Sequence, residues 1–437
     1  MGMTQQLVKS ISQRVVILIS DGNIKKFFSS LGVVFIFRFT TAALNMVSIA
    51  LTVRYIGVAA MGDITMVQNA GYLLVIPIVS GINYSIIKYL PQCGIKERNE
   101  FIVSAFLANI SVTALLVLAY ISASELFCKI TGFSTDKWVL SIIFAAALNF
   151  SMVMESVLRS QKMFFRLSCL KMVGSLFFFA IVLVCGFIMK SFYYFVIAMI
   201  INQCVFAILA FRDIKIERMG FSMKAVRLIY SYGAINMVSW ILSYALFSTD
   251  IFIVGHYCSA YDVGLYSLYH TNVRNFFNIM FHEVFAVVFL PTIAEIDKMK
   301  VYRKIIGLIP LLLPFSVLAN AAFSIVMYFM YGGTYEFNWL YIGIVSISTG
   351  FHSIYWMLNS AFTVEGKRGA VLCLWVVGVP LPLLLAATVW ITKSFGITGA
   401  MVSSLIAQLV LIGMFILTIK RLYLKYNISA MSPIVKG

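Results

Sequence analysis

Long apolar runs alternate along this chain with short polar breaks, and the breaks hold most of the charge. Crossing a hydrocarbon core of ~30 Å takes about 20 apolar helical residues. Twelve stretches approach or exceed that length: Leu31–Val53, Ile64–Ile87, Phe101–Ile121, Val139–Leu158, Met172–Met189, Phe192–Phe211, Tyr230–Val254, Leu265–Leu290, Ile305–Met330, Trp339–Val364, Ala370–Ile391 and Ile397–Ile419. They are spans one to twelve below. Membrane-barrel strands are shorter, about 9–11 residues, and alternate strictly, so the runs predict helices. The fold class expected is an all-α membrane protein of twelve transmembrane helices in two six-helix bundles. The spans take 274 of 437 residues and leave little for an extramembrane domain.

Polar residues interrupt these spans at helical spacing. In span one Arg38, Thr41, Asn45, Ser48 and Thr52 recur every three or four residues, which places them on one face. Span eight carries Thr271, Asn275, Asn278 and His282 in the same rhythm, with Arg274 and Glu283 beside them. Asn236, Ser239, Ser243 and Asp250 follow in span seven; Asn69, Ser80 and Asn83 in span two; Thr349, His352, Asn359 and Thr363 in span ten. A charged side chain in mid-bilayer costs about 2.5–3.5 kcal/mol even on a lenient scale. Arg38 lies 12 residues beyond Lys26, or ~18 Å of helix. Polar faces on several helices predict a shared wet lumen. Pro77, Pro310, Pro314, Pro380 and Pro382 fall inside spans and predict bends.

Composition closes off other classes. Hydrophobic residues make up 62% of the chain and charged residues 11%, with a mean hydropathy of +0.97. Soluble domains carry about 45–50% and 25%, so a soluble enzyme is excluded. The net charge of +17 would suggest nucleic acid in a soluble protein, but its distribution gives another reason. Placing the N-terminus in the cytoplasm puts 26 Lys and Arg in inner segments and 5 in outer ones. That bias is the positive-inside rule, so both termini are expected in the cytoplasm and no nucleic-acid partner is needed. The run Val15–Ser20, flanked by Lys9, Arg14, Lys25 and Lys26, is too short to span and predicts an interfacial helix rather than a cleaved signal.

The basic loop 212–228 divides the spans six and six. The domains expected are an N-terminal segment 1–26, a first bundle 27–211, the linker 212–228, a second bundle 229–419 and a tail 420–437. Arg54-Tyr55 followed by Gly62 has a counterpart 202 residues on, His256-Tyr257 followed by Gly264, and spans two and eight both end in Leu-Pro. Six spans per half make the repeats parallel, related by a pseudo-two-fold axis along the membrane normal, an arrangement that sets a substrate site between the halves. The seven cysteines and four histidines show no metal spacing, and neither a phosphate loop nor a cofactor motif occurs. No metal or cofactor is expected.

Two segments carry a resemblance: FRFTTAALNMVSIALTVRYIGVAAMGDI, which contains Arg38, and STDIFIVGHYCSAYDVGLYS, with Asp250 and then Val263-Gly264-Leu265-Tyr266. Through them the chain resembles the bacterial O-antigen and polysaccharide repeat-unit flippases, within a superfamily shared with multidrug and toxin extruders and lipid II flippases. The first half departs from the pattern, since Gly62 is followed by Asp63-Ile64 without the tyrosine. The resemblance implies a non-enzymatic inner-membrane transporter. Its cargo would be an undecaprenyl-pyrophosphate-linked oligosaccharide, moved from the cytoplasmic to the periplasmic leaflet beside other polysaccharide-assembly membrane proteins. Combined with the polar stripes, it assigns substrate binding to Arg38, Arg274, Asn45, Asn275 and Asn278. Asp250, His282 and Glu283 become candidates for ion coupling. The alternatives are a cation-coupled multidrug extruder of the same fold, which needs carboxylates in its cavity, and a membrane glycan polymerase. The latter needs catalytic groups outside, where the longest outer segment, Ser122–Trp138, has only 17 residues.

Overall fold

In hydrocarbon every backbone N–H and C=O must find a partner within its own segment, which leaves an apolar span the helix. The computed structural model describes residues 22–214, 220–280, 298–363 and 367–421. Over their described residues all twelve apolar stretches are helical, apart from short breaks. The run Val15–Ser20, His282, Glu283 and the tail from residue 422 lie outside the described residues. Among the described residues seven helices are long and apolar enough to cross a membrane; an eighth is Met223–Phe247 with Asp250–Tyr257, bent by 41°.

Two of the seven are too long for one crossing. Ile36–Val79 has 44 residues and Val371–Ile419 has 49. Each contains a glycine in a conformation that a Cβ disfavours: Gly57 with φ 82° and Gly396 with φ 60°. The chain doubles back at both. Ala42 and Tyr72, which a straight helix would hold ~45 Å apart, line one cavity. Leu384 and Ala407 flank Gly396 in the same way and share a pocket.

The prolines act unequally. Span two breaks at Ser80 and Gly81, both at positive φ, one turn after Pro77. Pro380 and Pro382 start the helix Leu381–Ile419 after a break at Val379. Pro310 and Pro314 lie inside the uninterrupted 33-residue helix Lys298–Met330.

The repeat offset of 202 reappears as direct contact. The hydroxyls of Thr65 and Ser267, 202 residues apart and both buried, are hydrogen-bonded at 2.6 Å. One turn away Gly62 and Gly264 bring the two helices together. A Cβ on Gly62 would lie 2.7 Å from the Ala260 carbonyl oxygen, and one on Gly264 would lie 2.0 Å from that of Val58. Equivalent residues touch each other where a two-fold axis passes, so the pseudo-two-fold runs between these pairs at the end of the molecule that bears the Gly57 turn. From there spans two and seven stay together along the seam. Tyr244 donates to the Asn69 carbonyl at 2.5 Å and Ser85 to the Ile229 carbonyl at 2.7 Å. Gly81 and Gly233 meet backbone to backbone, and Lys88 lies 3.8 Å over the Tyr232 ring. Spans two and seven thus touch at four points along this flank of the seam.

Candidate functional site

The polar stripe of span one separates into two kinds of residue. Thr41, Ser48 and Thr52 donate to the carbonyls of Phe37, Leu44 and Ser48, one turn back on their own helix, at 2.7–2.8 Å. Such back-bonding satisfies a hydroxyl without any ligand. Asn45 differs: its Oδ1 is buried and has no hydrogen-bond partner.

Asn45 borders a cavity of about 390 Å³ at the seam. The first half supplies walls from spans one, two, four, five and six, and the second half from spans eight and nine. Six carboxamides face it: Asn45, Gln68, Asn202, Gln203, Asn272 and Asn275. Phe144, Phe178, Phe195, Phe323 and Tyr72 supply aromatic surface. No Asp, Glu, Lys, Arg or His is among the described residues that line it. Its described wall mixes carboxamides with a larger apolar surface of Met, Ile and Phe.

Charge collects just outside. Ala42 is the wall residue of span one nearest the N-terminus, and Arg38 lies one turn below it, about 6 Å along the axis. Arg38 donates through Nε to Ser168 at 3.4 Å and lies within electrostatic reach of Glu155, Arg159 and Lys171. Glu155 bridges Arg159 at 2.5 Å and Lys171 at 2.7 Å. Arg38, Arg159 and Lys171 thus gather around this one described carboxylate. Ser168 and Lys171 begin one helix, and Glu155 and Arg159 end another. Arg38 is therefore level with the ends of those two helices, although its own helix starts back at Gly22.

Arg274 lies elsewhere, which corrects the expectation that both arginines face one lumen. It is 6% exposed and turned into the second half, where it donates to the Phe247 carbonyl and holds Nη1 3.7 Å from the Asp250 carboxylate. The same carboxylate, 8% exposed, accepts Tyr266 OH at 2.6 Å and the Ile251 amide at 2.9 Å. His270 approaches it to 3.8 Å and meets Ser404 at 3.0 Å. A carboxylate this buried requires a counter-charge, and Arg274 supplies it.

The structure thus brings Asn45 and Asn275 to the cavity, sets Arg38 about one helical turn beyond its wall and places Arg274 and Asp250 in a separate buried pair. Asn278 lies on the helix Asn272–Met280. Sequence reasoning missed Gln68, Asn202, Gln203, Asn272 and Lys171. The adjacent amides Asn202 and Gln203 in an otherwise apolar span were a usable signal. Asn272, three residues before Asn275 on the same α-helix, was a usable signal too.

The family model described as "Polysaccharide biosynthesis protein" matches residues 28–297, more than half of the chain. No curated protein matches in sequence. An inward-facing multidrug resistance MATE family transporter of the MOP superfamily is 11% identical, with a TM-score of 0.65 over 91% of this chain and 99% of that one. The lipid II flippase MurJ, in an inward closed conformation, is 14% identical, with a TM-score of 0.60 over 89% and 87%. A MOP superfamily transporter from Pyrococcus furiosus, described by the reverse polarity of its binding pocket, is 13% identical, with a TM-score of 0.52 over 92% and 96%. The chain has the fold of the MOP superfamily transporters.

Proposed function

Because the chain belongs to the polysaccharide biosynthesis protein family, we propose that it is a flippase for an undecaprenyl-pyrophosphate-linked oligosaccharide, an O-antigen or related repeat unit. It carries the headgroup from the cytoplasmic to the periplasmic leaflet of the bacterial inner membrane. One observation supports this reading: a cluster of Arg38, Arg159 and Lys171 about one helical turn beyond a carboxamide-bearing cavity between the two halves. Guanidinium groups match phosphate oxygens in charge and in fork geometry, so Arg38 and Arg159 with Lys171 take the pyrophosphate. The cavity amides take the sugars. The cluster belongs to the end of the molecule with the basic loops, which the positive-inside rule puts in the cytoplasm with both termini.

The tail stays in the bilayer on the flank away from spans two and seven, which are in contact with each other. The two bundles, 27–211 and 229–419, then rock about the seam. Substrate can shift that equilibrium only by binding the two states unequally. A coupling ion at Asp250 would have to displace Arg274, so we assign coupling to Asp250 only together with movement of that guanidinium. Export of a cationic drug is disfavoured by a described cavity wall without carboxylates.

Two measurements test the reading. Deleting the gene should leave the lipid-linked oligosaccharide assembled but accumulated in the cytoplasmic leaflet; unpolymerised units on the periplasmic side would mean a polymerase instead. A Thr65→Cys, Ser267→Cys pair should cross-link on oxidation, since the native hydroxyls touch at 2.6 Å. In a background without the seven native cysteines the closed link should stop transport, and reduction should restore it. Undiminished transport by the fully cross-linked protein would exclude opening at this end.

A further inference from the structure

At the end of the molecule that bears the Gly57 turn, buried side chains of both halves share a hydrophobic core, which includes Val53, Met61 and Ile64 of the first half and Val254, Val263 and Tyr331 of the second. A polar, exposed contact crosses the seam beside it: Arg54 donates through Nη2 to the Phe329 carbonyl at 3.3 Å. We infer that Arg54 is a latch, a cation of the first half that caps the end of span nine in the second half and biases the transporter towards the state closed at this end. The inference goes beyond the flippase reading, since it needs two halves that part here and no particular cargo.

The carbonyls that end a helix lack intrahelical donors and carry partial negative charge, so a cation is stabilising there. Such a cation is commonly a Lys or Arg of the helix itself, but Lys298–Met330 has no basic residue in its last turn. Gly332 and Gly333 then stop the helix at φ 73° and 67°. The Phe329 carbonyl accepts the Gly332 amide at 3.0 Å, and Arg54 takes its other lone pair. The guanidinium lies on the bare face of Gly332, where a Cβ would stand 2.9 Å from Nε and 3.2 Å from Cζ. The next residue, Tyr55, ties this stretch to its own half, because its ring lies against Gly186 of span five where a Cβ has no room. When the halves part at this end, Arg54 therefore goes with one and Phe329 with the other. Arg54 is exposed, so water takes over its hydrogen bond at that moment, and the contact biases the equilibrium without locking it. The held turn also adjoins the cavity: Tyr331 OH accepts from Asn272 Nδ2 at 3.5 Å, and both Asn272 and Met327 line the wall.

The test uses the full-length protein in liposomes, without its seven native cysteines and with spin labels on Ser122→Cys and Thr334→Cys, exposed positions at this end of the two halves. Pulsed electron spin resonance gives the distribution of distances between the labels. Arg54→Ala should raise the ratio of long to short distances about threefold or more; Arg54→Gln is the second variant should the first not fold. Lys129→Ala, which removes an exposed cation from the same side, should leave the ratio as it was. An unchanged distribution in a folded Arg54 variant would overturn the latch, and so would an equal shift in Lys129→Ala. The flippase reading fails separately: a gene deletion that leaves the lipid-linked oligosaccharide in its usual leaflet would overturn that reading and leave the distance result standing.

Discussion

Arg38→Glu should lower headgroup translocation by about a hundredfold or more while leaving the protein folded in the membrane. One charge-assisted hydrogen bond contributes about 1.5–3 kcal/mol, and each 1.4 kcal/mol is tenfold. Losing the bonds of one guanidinium therefore accounts for roughly one to two decades. Reversal adds repulsion, because the cluster then holds two carboxylates in place of one. The fold should tolerate the change, since Arg38 is level with the helix ends, where Arg159 and Lys171 remain to pair an added carboxylate. Arg38→Lys should keep the charge and lose the fork, for a loss of about tenfold. Leaflet distribution of the lipid-linked substrate measures the rate, and the yield of monodisperse protein measures folding. Wild-type transport by Arg38→Glu would remove Arg38 from the pyrophosphate site.

The second large effect concerns stability. Asp250→Ala should destabilise the second half by about 3–5 kcal/mol, the cost of leaving a buried charge without its partner. Arg274 is 6% exposed, and its Nη1 makes no hydrogen bond even with Asp250 present. Removing the carboxylate also strands Tyr266 OH, which has Asp250 as its partner. Arg274→Ala should cost a similar amount from the other side. The double variant should lose less than the two single losses combined, because neither charge is then stranded. Thermal unfolding in detergent provides the three values. Strict additivity, or single variants as stable as wild type, would mean that the pair does not act as a unit.

Much of the fold was legible because bilayer physics acts on the sequence directly. Spans had to be apolar and about 20 residues long, so their positions followed from hydropathy. The repeat was legible from two short echoes 202 residues apart, and the same offset joins Thr65 to Ser267 across the seam. The site was harder to read, for three separable reasons. Hydroxyls on a polar stripe can bond to their own helix, as Thr41, Ser48 and Thr52 do, so a stripe overstates the polar surface offered to a ligand. In span two Gln68 reaches the cavity, while its neighbour Asn69 turns back to the Thr65 carbonyl at 2.8 Å. Above all, a deep arginine does not announce its partner. Asp250 pairs with Arg274 from 24 residues away, across the break at Cys258–Ser259, a separation that no helical period reveals.

The central claim is that the saccharide headgroup passes through the cavity between the halves, and contact at the cavity wall tests it most directly. A photo-reactive residue in place of Asn45 should capture the lipid-linked oligosaccharide through its sugar. The same residue in place of Leu115, an exposed leucine on span three outside the cavity wall, should capture none through the sugar. Sugar adducts at position 45 alone are the predicted result; none at 45, or equal capture at both positions, would contradict passage through this cavity.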